Sequence, residues 1–170
     1  MTSTPSPGTR ALEQISFDEW PPALRTLFDG TLIETKGGFT ASLLAVDDGG
    51  RVRTSLLSLG ELFAPDPRTL CFALWPASRA VRAISSTGRA TLTFVFDEAF
   101  FQVQLEARRV PLDHAPLACF VATIETGELQ RVGYARLTGG IGFELEDGET
   151  VMARWRAQVE MLKRAASAAA

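Results

Sequence analysis

Histidine is almost absent from this chain: His114 is the single one, and it lies in Asp113-His114-Ala115-Pro116, which has the character of a loop. One imidazole gives little basis for a histidine-built metal centre or a Ser-His catalytic pair, so no metal is expected. Cysteine is nearly as scarce. Cys71 and Cys119 have no second thiol or histidine near them in sequence, and they read as buried free thiols rather than a bridge or a metal pair. No apolar run approaches the roughly 20 residues that a membrane span requires. Met1-Thr2-Ser3-Thr4-Pro5 also lacks the apolar core of a signal peptide, so a cytoplasmic protein with no membrane partner is expected. Basic charge is not in excess either: 17 Lys and Arg face 20 Asp and Glu, for a net charge of −3. Without a basic field, nucleic acid is not an expected partner.

What remains is an ordinary core-forming composition, 46% hydrophobic and 22% charged over 170 residues, enough for one domain. Residues 1–15, with Pro5 and Pro7, read as a flexible arm, 16–166 as the single domain, and 167–170 as a frayed end. Ser16 to Phe28 carries capping residues, Pro21-Pro22 and apolar residues at helical spacing, which predicts a short helix stopped by Gly30. A short strand over Leu32 to Glu34 and a turn at Gly37-Gly38 follow. Phe39 to Val46 and Val52 to Leu59 read as a hairpin closed by Asp47-Asp48-Gly49-Gly50. The prolines of Ala64-Pro65-Asp66-Pro67 force a loop, and the nearly unbroken apolar run Thr69 to Trp75 reads as a buried strand.

Ser78 caps a helix to Thr87, with Val81 and Ile84 inward and Gly88 at its end. Ala90 to Phe96 and Phe100 to Val110 read as strands joined tightly through Asp97-Glu98-Ala99. Leu117, Phe120, Val121 and Ile124 fall at helical spacing, so Ala115 to Thr126 reads as a helix with Gly127 as its stop. Tyr134 to Leu137 and Ile141 to Glu146 read as short strands. Glu149 to Ala166 is a helix with Val151, Met152, Trp155, Val159 and Leu162 as its apolar stripe. Hairpins interrupted by peripheral helices predict a mainly β, α+β architecture: a six-stranded antiparallel split β-barrel with peripheral helices.

The strand Arg53-Thr54-Ser55-Leu56-Leu57-Ser58 is polar and cationic at one end and apolar at the other. A ligand divided the same way, anionic at one end and flat and apolar at the other, suits it, and flavin mononucleotide (FMN) is such a ligand. Ser78 is explained equally well as a helix cap and as an anion contact, and the two roles are compatible. Arg79 and Arg82 fit either solvated charge or ligand contact, and Gln102 fits the polar face of a half-buried strand. Trp75 and Trp155 suit the core or an interface as well as a flavin cover. Thr138-Gly139-Gly140-Ile141-Gly142 lacks the strand and helix context of a dinucleotide loop.

The run Arg53 to Ser58, the apolar strand Cys71 to Leu74, Pro76-Ala77-Ser78-Arg79-Ala80-Val81-Arg82, Thr91-Leu92-Thr93-Phe94 and Gln102-Val103-Gln104-Leu105 together resemble the pyridoxamine 5'-phosphate oxidase-like family of split barrels. The resemblance covers about Phe39 to Val110. It implies FMN bound at a homodimer interface, with Arg53 near the phosphate, Thr54, Ser55, Leu56, Leu57 and Ser58 along the flavin, Ser78 and Arg79 at the phosphate, and Gln102 approaching the ring. Arg82 is a further candidate for the same anion.

Three departures limit what carries over. Ser58 replaces a lysine of the oxidase, Ala80 replaces a basic phosphate residue, and Arg154-Trp155-Arg156 lies in a helix instead of a terminal strand. Pyridoxamine phosphate oxidation is therefore not predicted, and Ala80→Lys is expected to tighten flavin binding. The expectation is a homodimeric FMN-dependent oxidoreductase of unspecified substrate, with NADH or NADPH as a reductant. Its alternatives are a non-catalytic flavin-binding, electron-transfer or sensing protein, or a split barrel for a deazaflavin or haem.

Overall fold

The computed structural model describes residues 12–170; residues 1–11 of the arm expected over 1–15 lie outside the described residues, and Glu13 to Ile15, expected in that arm, instead open a strand whose register pairs them with Arg131, Gln130 and Leu129. One antiparallel sheet of eight strands forms the body: β1 (Glu13–Phe17), β2 (Ala41–Val46), β3 (Val52–Leu57), β4 (Leu62–Phe63), β5 (Thr69–Leu74), β6 (Arg89–Phe96), β7 (Ala99–Val110) and β8 (Ala118–Arg131). Three helices accompany it: α1 (Pro22–Leu27), α2 (Arg79–Thr87) and α3 (Gly148–Ala169). The strands run in the order β3-β2-β6-β7-β8-β5-β4, with β1 added to β8. Strands β3 and β4 are thus the free edges, as in a barrel split along one seam. The predicted architecture stands, with eight strands where six were expected.

The curved inner face holds the main core, where Leu43, Phe72, Leu92, Val103, Leu105 and Phe120 are all fully enclosed. Phe28 packs edge-on against Phe94 with ring centres 5.5 Å apart, and Phe94 stacks on Phe101 at 5.0 Å, closing one end with aromatic surface. The hairpin β2–β3 forms where Asp47-Asp48-Gly49-Gly50 predicts it, with Gly50 N–H donating to the Asp47 carbonyl at 2.9 Å. Helix α2 also matches its prediction: Ser78 Oγ accepts from Val81 N–H at 3.2 Å, and Gly88, at φ +69°, ends it in a left-handed conformation that only glycine adopts freely.

The largest correction is β8. Residues 118–126 of the stretch predicted as a helix over 115–126 open a 14-residue strand that pairs with β7 along one edge and with β5 and then β1 along the other. Its period is hidden because both of its faces are buried at the start. Phe120, Ala122 and Ile124 enter the barrel core, while Cys119 and Val121 face a second cluster under α3. Gly127 is not a helix stop. It leaves space for the Phe17 ring of β1, which a Cβ at that position would penetrate.

Smaller corrections follow the same logic. Ser16 and Phe17 belong to β1, so the first helix is confined to Pro22–Leu27. Leu32 to Glu34 lies in turns, because Lys36 N–H and Phe39 N–H close on the Leu32 and Lys36 carbonyls instead of on a neighbouring strand. Tyr134 to Leu137 and Ile141 to Glu146 form no strand; they belong to an irregular connection leading to α3. Helix α3 continues through Ala169, and its apolar arc is wider than the five-residue stripe, with Gln158, Met161 and Ala165 buried as well. Among the described residues no helix is long and apolar enough to cross a membrane.

Candidate functional site

The seam of the barrel is not empty space. Because β3 forms one edge of the split, the end of β5 beyond the two-residue β4 forms the other, and α3 lies across it, a cleft of about 710 Å³ opens between them. Ser55, Leu56 and Leu57 of β3 form one wall, Ala73 and Leu74 of β5 with Trp75 form another, and Ser78 stands at the amino end of α2. Helix α3 supplies the third wall with Arg154, Ala157, Gln158, Met161 and Arg164. The size and mixed lining are those of a cleft for a cofactor-sized ligand. Leu56 and Trp75 are 57% and 68% exposed, so large apolar side chains stand at its mouth without cover.

The cleft is electropositive on balance. Arg154 and Arg164 make no ion pair among the described residues, whereas Glu61 is already engaged: its Oε2 takes Ser58 N–H at 2.6 Å and also the Ser58 hydroxyl. That capping box holds a single 3-10 turn, Leu59–Glu61, at the end of β3. The buried Gln158 lacks any partner for its Oε1, an exception that demands an explanation in a protein interior. A smaller chamber of about 350 Å³ adjoins the cleft through Leu57, Glu61 and Arg154, and it is lined by Thr40, whose buried hydroxyl is likewise unpartnered.

The site residues read from the sequence divide into two groups. Ser55, Leu56, Leu57 and Ser78, far apart in the chain, meet in the cleft. Ser58 is buried in the capping box and lines the adjoining chamber, and Thr54 is exposed on the opposite face of β3. Arg53 shares the inner face with Ser55, one strand repeat away, and its guanidinium already holds Asp47: Nε and Nη2 lie 2.8 and 2.7 Å from Oδ2. Arg51 N–H and the Arg53 side chain, with Gly49 N–H, keep the Asp47 carboxyl below its ordinary value. Arg79 and Arg82 are exposed on α2 outside the cleft lining. Gln102 faces away from the barrel core, in a separate hollow with Thr91 and Gln104.

Position 80 corrects one expectation. Ala80 is 4% exposed and packs into the core, so a lysine there would be driven among apolar side chains instead of toward an anion. The residues missed in the sequence are Arg154, Gln158 and Arg164. Arg154 and Gln158 are four residues apart, which puts them on one helical face, but the stronger apolar stripe beside them claimed the inward direction.

The two thiols lie outside this chemistry. Cys71 is packed between the sheet and Met161 and Leu162 of α3; burial above all, with Asp66 and Cys119 adding to it, pushes its thiol up to about 12. Burial raises Cys119 as well. Both remain protonated thiols with no nucleophilic form at neutral pH. A folded-state value above the unfolded one means that stability is complete below the unfolded value of 9.0 and falls as pH rises toward 12. Native protein at neutral pH should therefore resist iodoacetamide at both cysteines, react at both in urea, and begin to unfold in alkali above pH 9. Rapid alkylation of Cys71 in the native state would contradict this packing. Among the described residues no group of three or more His, Cys, Asp and Glu gathers as a metal site.

No protein-family model matches the chain. In sequence it is similar to YclD, an uncharacterized protein of Bacillus subtilis (strain 168), with 27% identity over 144 residues, 81% of this chain and 92% of that one. In structure it is similar to a Lactobacillus delbrueckii protein provisionally assigned as a pyridoxamine 5'-phosphate oxidase, with a TM-score of 0.51 at 14% identity over 67% of this chain and 97% of that one. It is also similar to a variant of HupZ from Group A Streptococcus, with a TM-score of 0.50 at 12% identity over 63% and 96% of the two chains. An antiparallel sheet open between β3 and β4, with helices packed about it and these structural likenesses, identifies the architecture: the chain has the split-barrel fold of the pyridoxamine 5'-phosphate oxidase-like proteins.

Proposed function

We propose that the seam cleft holds FMN and that the protein is a homodimeric, flavin-dependent oxidoreductase, with NADH or NADPH as the source of electrons. The observation that carries this reading is the meeting of Ser55–Leu57, Ala73–Trp75 and Ser78 on one cleft. It joins an apolar slot suited to a flat ring to the amino end of a nine-residue helix, where free N–H groups and the helix dipole favour a phosphate. Arg79, next to Ser78 at the start of that helix, and Arg53, once released from Asp47, are the cationic groups proposed to meet the phosphate from outside the cleft lining. When bound, FMN supplies hydride and electron transfer, and the chain supplies position, dielectric and charge. His114 is not among the cleft-lining residues, so a haem there would find no imidazole from this chain.

Dimerisation follows from what is left uncovered. Leu56 and Trp75 at the mouth, and Val46 beside its strand partner Val52, are between 49% and 68% exposed. A two-fold partner covers such a patch twice. Gln102, outside its own chain's cleft, then becomes available to the other subunit's. Light scattering should give a mass near twice 18.4 kDa. Titration of the cofactor-free protein with FMN should quench flavin fluorescence to saturation at one FMN per chain. No quenching by FMN, or a preference for haem or for a deazaflavin in parallel titrations, would overturn the assignment.

A further inference from the structure

We infer that Gln158 and Arg154 on α3 read the pyrimidine edge of the flavin, Gln158 Oε1 taking the ring N3–H and Arg154 facing the N1–C2 carbonyl side. The inference rests on the flavin reading of the cleft and adds recognition residues from a helix outside the stretch that resembles the oxidase-like family. Gln158 is 9% exposed and lines the cleft, and its enclosed Oε1 has no hydrogen-bond partner in the protein; a turn of the carboxamide about its soft last side-chain bond presents that oxygen to the cleft. A buried polar atom of this kind is retained where a ligand completes it. The partner it lacks is a donor, and a carboxamide matches an imide, which presents one N–H between two carbonyl oxygens.

The flavin pyrimidine ring is such an imide, and the arrangement of the cleft puts it at the right wall. With the phosphate drawn to Ser78 and the ring in the apolar slot, the ring's polar edge is left for α3, the wall that carries polar side chains. Arg154, one helical turn before Gln158 on the same face, is unpaired among the described residues. Of the charges beside it, Glu61 is held by Ser58, and Arg164 stands about 9 Å further along the helix from Gln158. Negative charge on reduced flavin collects at N1 and the C2 carbonyl, so a guanidinium there favours the reduced form.

The test uses the whole protein, freed of flavin, titrated with FMN and with 3-methyl-FMN, in which the N3–H is replaced by a methyl group. The protein should prefer FMN by about tenfold or more, and Gln158→Leu should bind FMN about tenfold more weakly while losing the preference. Arg154→Ala should lower the reduction potential of bound FMN, read by equilibration with a reference dye. Equal binding of the two flavins, or a preference that survives in Gln158→Leu, overturns the inference and leaves FMN binding intact. Absence of FMN binding by the unmodified protein removes both readings. If Gln158→Leu does not fold by circular dichroism, Gln158→Met takes its place, and the two-flavin comparison on the unmodified protein still decides.

Discussion

Gly60→Ala is expected to lift α3 from the barrel and to abolish the cleft with it. Gly60 lies in the 3-10 turn after β3, directly under Trp155, and a Cβ built there falls inside the indole at Cγ and Cδ1. The ring has nowhere to go: Trp155 is 3% exposed, clusters with Ile33 and Val159, and meets Phe143 edge-on at 6.1 Å. Overpacking of this kind costs about 1–3 kcal/mol and sometimes more. The strain is relieved most directly by moving the helix, which also carries Arg154, Gln158 and Arg164 out of the site.

Urea unfolding should therefore show a lower midpoint for Gly60→Ala, and FMN titration should show loss of binding in the same variant. Gly139→Ala is the control, because nothing lies within 4 Å of a Cβ at that position. A Gly60→Ala protein that unfolds and binds like the parent would mean that α3 is not seated by this contact.

The second large effect is a pair of opposite changes at the β2–β3 hairpin. Arg53→Ala is expected to weaken FMN about 10- to 100-fold, the value of a charge-assisted bond to phosphate. Asp47→Asn is expected to tighten it, since Asp47 Oδ2 competes for the same guanidinium. The asparagine keeps a side-chain oxygen for Gly49 N–H and Arg51 N–H, each 3.0 Å from Asp47 Oδ1, so the turn survives while the competing charge is removed. Lysine at position 53 should rescue only part of the loss, having charge without the planar fork. The same fluorescence titration reads all three. If Arg53→Ala and Asp47→Asn leave FMN affinity unchanged, the pair serves only the hairpin, where a partly exposed pair of this kind contributes about 0–1 kcal/mol.

Elements governed by local chemistry are legible in the amino-acid order. Asp47 to Gly50 dictates a hairpin through its turn residues, and Ser78 with Gly88 brackets α2 to the residue. Strand β5 is recognisable as buried because its apolar run is too short for a helix. The segment Ala118 to Ile124 defeats the same reasoning. Its neighbours on both sides and the helix above it are all distant in sequence, and burial on two faces erases the alternation that marks a strand.

The site divides along the same line. Sequence by itself determined the core-forming composition, the hairpin, the capped helix α2 and the candidates Ser55, Leu56, Leu57 and Ser78, because turns, caps and short apolar runs are properties of neighbouring residues. Tertiary structure alone decided that Arg53 is held by Asp47, that Ala80 points inward, and that Arg154 and Gln158 face the cleft. Those facts depend on which way a side chain points once strands far apart in the chain have closed a barrel and α3 has crossed its seam. No local pattern encodes that direction, since a helical face is buried or open according to what packs against it.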